Sequence, residues 1–414
     1  MSKLPLLFLF LLTPIVLLAI MPGFASDTLG IFGNANLDDT IDEKDIAYVN
    51  GVFNGTNAPT NFSDANYDGK VDSLDVVQIE MIISGEENEL TFIDSANRTV
   101  TLRMPLKSLV AESPILEPMR SLALESEEVV GITQSTKENS IYFPELNERP
   151  SIGSVSSPDY EAILKLHPDT VWIHASMTSS SYEQFQNKLN ETDPTITVLR
   201  IDGYKPSNHA DEIRKMGYIL GKREEANEFL DFYEGVLNTV EEKAENLSEK
   251  DKPTVYFEYG PYKTCGEGSG YHEKIVLAGG NNIFSDLTDY PTVDAEEVVK
   301  RNPDIIILLD NGKSGYESDN ATDLASLRDE VMNRPELADV TAVKEGQVYA
   351  ISNDIYGGSQ HFLGIAFLAK WFHPSLFEGL DPKVIHQEYL TRFQGLDYDL
   401  DEHGAFIYPP LEEN

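Results

Sequence analysis

The sequence predicts an α/β protein with two similar lobes joined by a long helix and preceded by a small all-α module. Three observations support this prediction. Short β-rich runs alternate with helical patterns from Leu90 onward. The passages at residues 160–173 and 295–308 repeat one order of helix, Pro-Asp and buried strand. Upstream, residues 34–45 and 64–75 form an internal repeat of oxygen-bearing side chains.

Length and charge limit the possible functions. A chain of 414 residues is long enough for two or three domains. Its 70 acidic residues against 31 basic ones give a net charge of −39, which argues against a nucleic-acid partner because phosphate binding needs basic stripes. The single cysteine, Cys265, excludes an internal disulfide.

An apolar run at the N-terminus predicts export. It extends from Leu4 to Met21 after Lys3 and is followed by the small-residue flank Phe24-Ala-Ser26. This pattern is typical of a signal peptide. An uncleaved membrane anchor is the alternative, because about 18 apolar residues nearly span a bilayer. We therefore expect residues 1–26 to be a signal peptide or anchor, with the remainder on the extracellular or periplasmic face of the membrane.

The internal repeat predicts two calcium loops in a module at residues 27–88. Calcium binds six to eight oxygens, and a twelve-residue loop with oxygens at positions 1, 3, 5, 9 and 12 wraps them around one centre. Position 7 of each loop supplies a main-chain carbonyl. The first loop uses Asn34, Asn36, Asp38, Thr40, Asp42 and Asp45, and the second uses Asp64, Asn66, Asp68, Lys70, Asp72 and Asp75.

The paired loops resemble type I dockerin domains over about residues 30–86. The resemblance implies two bound calcium ions and a cohesin domain as partner. Asn34 departs from the family pattern at the first site, which removes one charge and should weaken that site. The alternative is that calcium only folds the module, with no cohesin partner.

A long helix is predicted between the two lobes, which we expect at residues 89–221 and 250–414. Apolar residues recur at helical spacing through residues 222–249, flanked by charges and without proline. Such a segment would be about 42 Å long if wholly helical. A stiff connector of this kind predicts only small movements of the lobes around a ligand in their shared cleft.

The repeated passages resemble class III substrate-binding proteins of ABC importers, which serve iron-siderophore, haem and cobalamin uptake. The resemblance covers most of residues 90–373 and also rests on Thr91–Asp94, Arg98–Leu102, Val129–Ile132 and Gly279–Phe284. It implies two Rossmann-like lobes, a metal chelate as ligand and the importer's membrane subunits as partners. The favoured ligand is an iron(III) complex, and the alternatives are haem or a corrinoid such as cobalamin. The resemblance also places acidic docking residues at Glu183 and Glu296.

Candidate ligand-binding residues come from the same resemblance and from loop positions. Spacing from Pro168 matches His174 to a ligand-facing position of the family, and Tyr290 matches the partner position in the second lobe. Aromatic walls with a few polar anchors suit a bulky, partly apolar chelate. Further candidates near Gly, Pro or Ser are Tyr142, Tyr262, Tyr271, Tyr356, Gln360 and His361. Gly357–His361 opens a helix whose free amides suit an anionic chelate oxygen.

Two other classes of function compete with transport. Dockerins often tether polysaccharide hydrolases, but no local motif of a hydrolase, a nucleotide-binding loop or a zinc enzyme occurs in the sequence. We therefore predict that the protein is not an enzyme. The remaining alternative is a surface protein whose two-lobed body is degenerate and whose dockerin-like module is the active part.

Overall fold

A computed structural model describes residues 29–175 and 179–411 of the chain. The predicted signal segment, residues 1–26, lies outside the described residues. Across the described residues, no helix is both long and apolar enough to cross a membrane.

The N-terminal module consists of two loop-helix units. Its helices are α1 (Glu43–Phe53) and α2 (Ser73–Ser84). Each helix begins with a capping box. The side chain of the N-cap residue, Asp42 or Asp72, accepts hydrogen bonds from amides of the first turn. In return, the side chain three residues later, Asp45 or Asp75, accepts a hydrogen bond from the N-cap amide. The helices bury apolar residues such as Ile79 against each other. Two twelve-residue loops therefore lead into two helices, as the repeat predicted.

The N-terminal lobe begins with an antiparallel hairpin and continues as an α/β unit. Its sheet has the order β4-β3-β7-β8 with all strands parallel. The elements in chain order are β1 (Glu89–Ile93), β2 (Thr99–Arg103), β3 (Leu109–Ala111), α3 (Ser113–Ser121), β4 (Val129–Ile132), α4 (Gln134–Glu138), β5 (Gly153–Ser154), β6 (Ser157–Pro158), α5 (Tyr160–Leu166), β7 (Thr170–His174), α6 (Ser179–Thr192), β8 (Thr197–Ile201) and α7 (Pro206–Ile219).

The connecting helix, α8 (Arg223–Ala244), has 22 residues and is about 33 Å long. It buries one face, which includes Phe229, Tyr233 and Val240. The helix ends five residues before the predicted boundary at residue 249. From residue 245 to residue 251 no side chain is buried, so no packing holds that segment in a helix.

The C-terminal lobe is a second α/β unit. Its sheet has the order β10-β9-β11-β12-β13, with only β13 antiparallel to its neighbour. The elements are β9 (Thr254–Glu258), α9 (Gly270–Leu277), β10 (Asn281–Asn282), α10 (Ala295–Arg301), β11 (Ile305–Asp310), α11 (Thr322–Met332), α12 (Thr341–Glu345), β12 (Val348–Ser352), α13 (His361–Phe372), α14 (Pro382–Arg392) and β13 (Ile407–Tyr408). Two α/β lobes joined by a long helix confirm the predicted class of the main body.

The two repeated passages have the same backbone geometry. Helices α5 and α10 each have seven residues and end in a left-handed residue, His167 or Asn302. A Pro-Asp pair follows in each lobe. The carboxylate of Asp169 accepts hydrogen bonds from the two amides that precede β3. The carboxylate of Asp304 accepts a hydrogen bond from the first amide of β9. The sequence echo therefore marks one structural unit used twice.

The module packs directly on the N-terminal lobe. The Ile41 amide, in the first loop, donates to the Tyr218 hydroxyl of α7 at 2.7 Å. Arg223, at the start of α8, donates to the carbonyls of Ile82 and Ile83 at 2.9 and 3.1 Å. These two carbonyls belong to the last turn of α2, which has no basic residue of its own. Module and lobe share one continuous apolar core.

We expect Arg223→Ala to loosen the module, because it removes two hydrogen bonds between the lobe and the carbonyls at the end of α2. The loss in the free energy of unfolding should be about 1–2 kcal/mol, measured by urea titration of the full chain. The exposed pair formed by Arg392 and Glu228 offers a control, and Arg392→Ala should cost less than about 0.5 kcal/mol. Equal losses from both variants would contradict this role for Arg223.

Candidate functional site: a tyrosine-lined cleft

A cavity of about 690 Å³ lies between the two lobes. Parallel strands direct their carboxyl ends to one edge of each sheet, where ligand crevices form. In the C-terminal lobe, Tyr259, Asn311 and Asn353 directly follow β9, β11 and β12 and line the cavity. In the N-terminal lobe, His174 and Ile201 end β7 and β8 and line it from the other side. Both sheets therefore present their carboxyl edges to one cleft.

Five of the predicted ligand-binding residues line this cavity, namely His174, Tyr290, Tyr142, Tyr271 and Gln360. The imidazole Nε2 of His174 lies 3.9 Å from Asp202 Oδ1. Burial lowers the pKa of His174, although the Asp202 carboxylate partly opposes this shift. His174 is therefore a neutral side chain at the cleft wall.

The two lobes contact each other at both rims of the cleft. At one rim the hydroxyls of Tyr204 and Tyr290 lie 2.6 Å apart. At the other rim the rings of Tyr142 and Tyr316 stack with centroids 4.3 Å apart, and the Gln360 amide donates to the Tyr142 hydroxyl at 3.0 Å. Aromatic contacts therefore connect the two lobes at two places along the cleft.

Three predicted residues lie outside the lining. The Tyr262 hydroxyl donates to Glu336 at 2.6 Å on the outer side of the lobe. Tyr356 is fully buried and stacks behind the cleft residue Tyr271. His361 is also fully buried, with Nε2 2.8 Å from the Tyr233 hydroxyl of the connecting helix. Tyr356 and His361 support the cleft from behind.

The predicted anion-binding stretch at residues 357–361 has an acidic neighbour. Helix α13 begins at His361, and Gly358 and Gln360 just before it line the cleft. The buried side chain of Glu117, from the other lobe, reaches this helix start. A Cβ atom built on Gly358 would lie 3.9 Å from the Oε2 atom of Glu117. A carboxyl group of the protein therefore already lies beside the helix start.

Several cleft residues were not predicted from the sequence. Tyr204 and Tyr316 follow strands, so their positions beyond β8 and β11 were a usable signal. Glu117 on α3 and His209 and Glu212 on α7 had no such signal. A helix turns a residue toward a cleft only through its tertiary packing, and the sequence around these three shows nothing unusual.

Two carboxyl groups of the cleft have strongly raised pKa values. Burial raises the pKa of Glu117 to about 8, although the Tyr389 hydroxyl donates to its Oε1 at 2.9 Å. Burial also raises the pKa of Asp354 to about 6, against the stabilising amide of Tyr316. Each group is therefore protonated over a wider pH range than an exposed carboxyl.

The cleft holds no evident metal centre of its own. Across residues 29–175 and 179–411, the loops of the N-terminal module included, no group of three His, Cys, Asp or Glu side chains is placed to hold a metal ion.

Two α/β lobes that enclose one aromatic cavity define a ligand-binding protein of the cleft type. Residues 122–355 match the family model described as periplasmic binding protein. The chain belongs to this family, whose members bind ligands rather than catalyse reactions.

Curated relatives and solved structures agree with this family. The uncharacterized ABC transporter substrate-binding lipoprotein YvrC of Bacillus subtilis is 26% identical over 70% of this chain and 87% of that protein. The petrobactin-binding protein YclQ of the same organism is 24% identical, over 61% and 76%. The vitamin B12-binding protein of Salmonella paratyphi A is 28% identical over 42% of this chain and 63% of that protein, which is less than two thirds of its length.

The fold has a solved counterpart in the TroA-like periplasmic binding protein FepB from Veillonella parvula. The TM-score is 0.64 at 23% identity, over 77% of this chain and 98% of that one. The residues matched by the family model, 122–355, do not include the N-terminal module.

Proposed function

We propose that the protein captures a bulky metal complex outside the cell and delivers it to an ABC importer. The observation that carries this proposal is the cavity between the lobes, walled by tyrosines from both of them. Large aromatic side chains with a few polar groups suit a ligand that is bulky and partly apolar. Relatives named for petrobactin and vitamin B12 support a metal-binding siderophore or corrinoid as the ligand.

Ligand binding is tested on the full chain with iron(III) siderophores, haem and cobalamin. Trp172, fully buried in β7 two residues before His174, should report binding through its fluorescence. A ligand at 100 times its Kd should add about 2.7 kcal/mol to the free energy of unfolding and raise the melting temperature. A protein that responds to none of these complexes would not be such a transporter component.

We expect Tyr290→Ala to weaken binding about 10-fold to 100-fold, because the ring lines the cleft and closes one rim. Tyr262→Ala is the matched control, since Tyr262 lies outside the lining and should leave Kd within about 3-fold. Titration of the fluorescence change measures both. Equal losses from the two variants would contradict a role for the cleft.

For docking on the importer we propose an acidic residue on each lobe, as the family resemblance implies. Glu296 is the second residue of α10, and the same position of the equivalent helix α5 is Glu161, whose side chain is 88% exposed. Glu183, the residue predicted from the sequence, is exposed but lies on α6, after β7 rather than before it. The repeated geometry therefore favours the pair Glu161 and Glu296.

Docking is tested by measuring ligand uptake with the cognate importer in liposomes. Glu161→Ala combined with Glu296→Ala should reduce uptake at least about 10-fold while Kd for the ligand is unchanged. The double variant Glu183→Ala with Glu296→Ala tests the pair predicted from the sequence in the same uptake assay. A larger loss from the second pair would favour Glu183.

We also propose that the two loops of the module bind calcium. In the first loop Asn34 is fully buried and its Oδ1 has no hydrogen-bond partner, which suits a cation ligand. In both loops the last carboxylate, Asp45 or Asp75, is fully buried, and burial raises its pKa. These oxygens, with Asn side chains and main-chain carbonyls, form the hard donor set that calcium prefers.

Calcium should raise the melting temperature of the full chain by several degrees, and EDTA should reverse the change. Asp64→Ala should weaken calcium binding at least about 10-fold, because it removes a carboxylate from the second loop. Glu86→Gln, beyond the far end of α2, is the control and should bind calcium normally. Calorimetry that detects no calcium binding would exclude these sites.

A cohesin partner is a further part of this proposal, since the module resembles a dockerin. Exposed apolar side chains on the module support an interaction surface, namely Leu37, Phe53, Tyr67, Leu74 and Val77. Purified type I cohesin should bind the full chain in calcium and release it in EDTA. A chain that binds calcium but no cohesin would leave the module with a folding role alone.

A further inference from the structure

The charged residues of the cleft are all of one sign. Four carboxyl groups line it, namely Glu117, Glu212, Glu317 and Asp354, and no Lys or Arg of the described residues belongs to the lining. Of the four, Glu117 is protonated at neutral pH and Glu212 is paired with Lys215, so the negative charge that remains unpaired comes from Glu317 and Asp354. An anionic ligand would bury its charge beside these groups without a basic partner, which is costly in a site of low polarity. The lining therefore disfavours polyanionic ligands.

Basic side chains beside the lining are engaged elsewhere. Lys215 pairs with Glu212 through a contact of 2.8 Å, with both side chains buried. Arg120 lies behind the Tyr142 ring and donates to its carbonyl at 2.6 Å. Lys274 is fully buried and donates to a main-chain carbonyl at 2.7 Å. None of the three belongs to the lining of the cleft.

The two histidines of the lining do not supply positive charge either. His209 is fully buried, its Nδ1 is 2.6 Å from the Gly203 carbonyl, and burial lowers its pKa to about 4. Burial also lowers the pKa of His174. Both rings are therefore neutral at physiological pH.

Among the described residues, one carboxylate oxygen of the cleft lining lacks a hydrogen-bond partner. Glu212 Oε1 accepts from Lys215, but Glu212 Oε2 is buried and accepts no hydrogen bond. A buried carboxylate oxygen normally accepts from a donor, and this one belongs to a lining residue. A ligand N–H group or cation would supply the missing partner of this Glu212 oxygen.

The aromatic walls fit a ligand of the same character. Six tyrosines line the cleft, namely Tyr142, Tyr204, Tyr259, Tyr271, Tyr290 and Tyr316. The faces of aromatic rings carry negative potential, so they attract cations and stack on flat apolar surfaces. Walls and carboxylates therefore favour the same ligand charge.

We propose that the ligand is a metal complex of neutral or positive net charge that presents an N–H donor or cationic group to Glu212. This inference rests on the proposed transport function and specifies its substrate class. A trihydroxamate iron complex with an ammonium group fits this class, as does a corrinoid with its amide side chains. Iron complexes of citrate or catecholates, and haem with its two carboxylates, do not fit it.

The test uses three probes of different charge on the full chain. Calorimetry compares iron(III) desferrioxamine B, which is cationic, with cyanocobalamin, which is neutral, and an anionic iron(III) tris-catecholate. At least one of the first two should bind about 100-fold more tightly than the catecholate. Equal or tighter binding of the catecholate would overturn this inference and leave the transport function intact. If no probe bound, both would be overturned.

Variants of Glu212 test the contact itself. Glu212→Gln should weaken binding of the cationic probe about 10-fold. Because this change strands Lys215, the double variant Glu212→Gln with Lys215→Met removes the whole buried pair and should give a similar loss. Glu127→Gln, which removes an exposed carboxylate outside the cleft, is the control. Unchanged affinity in both Glu212 variants would overturn the role of this residue.

Discussion

Replacing Arg334 with alanine is expected to lower the free energy of unfolding by about 3–5 kcal/mol. The Arg334 guanidinium makes two parallel bonds to Glu258, of 2.9 and 2.8 Å. The two side chains are only 10% and 2% exposed. Glu258 ends β9 in the C-terminal sheet and also accepts from the Tyr256 hydroxyl. Without Arg334 this buried carboxylate would have no opposite charge, and that accounts for the size of the loss.

The effect is measured by urea unfolding of the ligand-free chain. Lys344→Ala is the control, because Lys344 pairs with Asp339 at an exposed position and should cost less than about 1 kcal/mol. The double variant Glu258→Gln with Arg334→Met removes both charges and should recover part of the loss. A loss below about 1 kcal/mol for Arg334→Ala would show that the pair is not structurally important.

The second large effect is the pH dependence of stability that Glu117 causes. Its pKa rises from the ordinary value of 4.5 to about 8 in the folded protein, because the carboxyl is buried. The folded state therefore holds a proton that the unfolded state has released between these two values. The contribution of the Glu117 carboxyl to the free energy of unfolding is complete below about pH 4.5. It is lost as the pH rises from that value through about 8. We expect a loss on the order of 2 kcal/mol between pH 6 and pH 9.

Glu117→Gln should remove this pH dependence, since glutamine resembles the protonated carboxyl and keeps the acceptor for Tyr389. The charged and titratable groups that face Glu117 are Arg120, Tyr142, Tyr389 and Asp354. Asp354 has a pKa of about 6, so its deprotonation also lowers the free energy of unfolding. This effect is the same in the wild type and in the Glu117 variant. Urea titrations at several pH values compare the two. Parallel stability curves for the variant and the wild type would contradict the raised pKa.

Much of the fold was predictable because its signals are local. The strand at residues 305–309 was expected from its apolar run, and β11 occupies Ile305–Asp310. The Pro-Asp pairs marked the start of the buried strands in both lobes. In the module, the repeated spacing of Asp and Asn oxygens predicted two twelve-residue loops. The structure shows that the Asp residues at positions 9 and 12 of each loop also cap the helix that follows.

The cleft was only partly predictable. His174 and Tyr290, which were matched to positions of the family, line it. Tyr262, which was chosen from its loop position, donates to Glu336 on the outside. A position after a strand indicates an edge of the sheet, while the direction of the side chain depends on the backbone there. Tyr262 has a φ of 57°, a conformation that loop composition did not reveal.

By itself the sequence determined the α/β class, the duplicated lobe and the oxygen spacing of the two loops in the module. These follow from periodicity and from contacts between residues close along the chain. Only the tertiary structure decided the charge of the cleft, because Glu117 and Glu212 reach it from helices, and Lys215 and Arg120 are drawn into other pairs. Residues far apart in sequence form this environment, so no local pattern carries it.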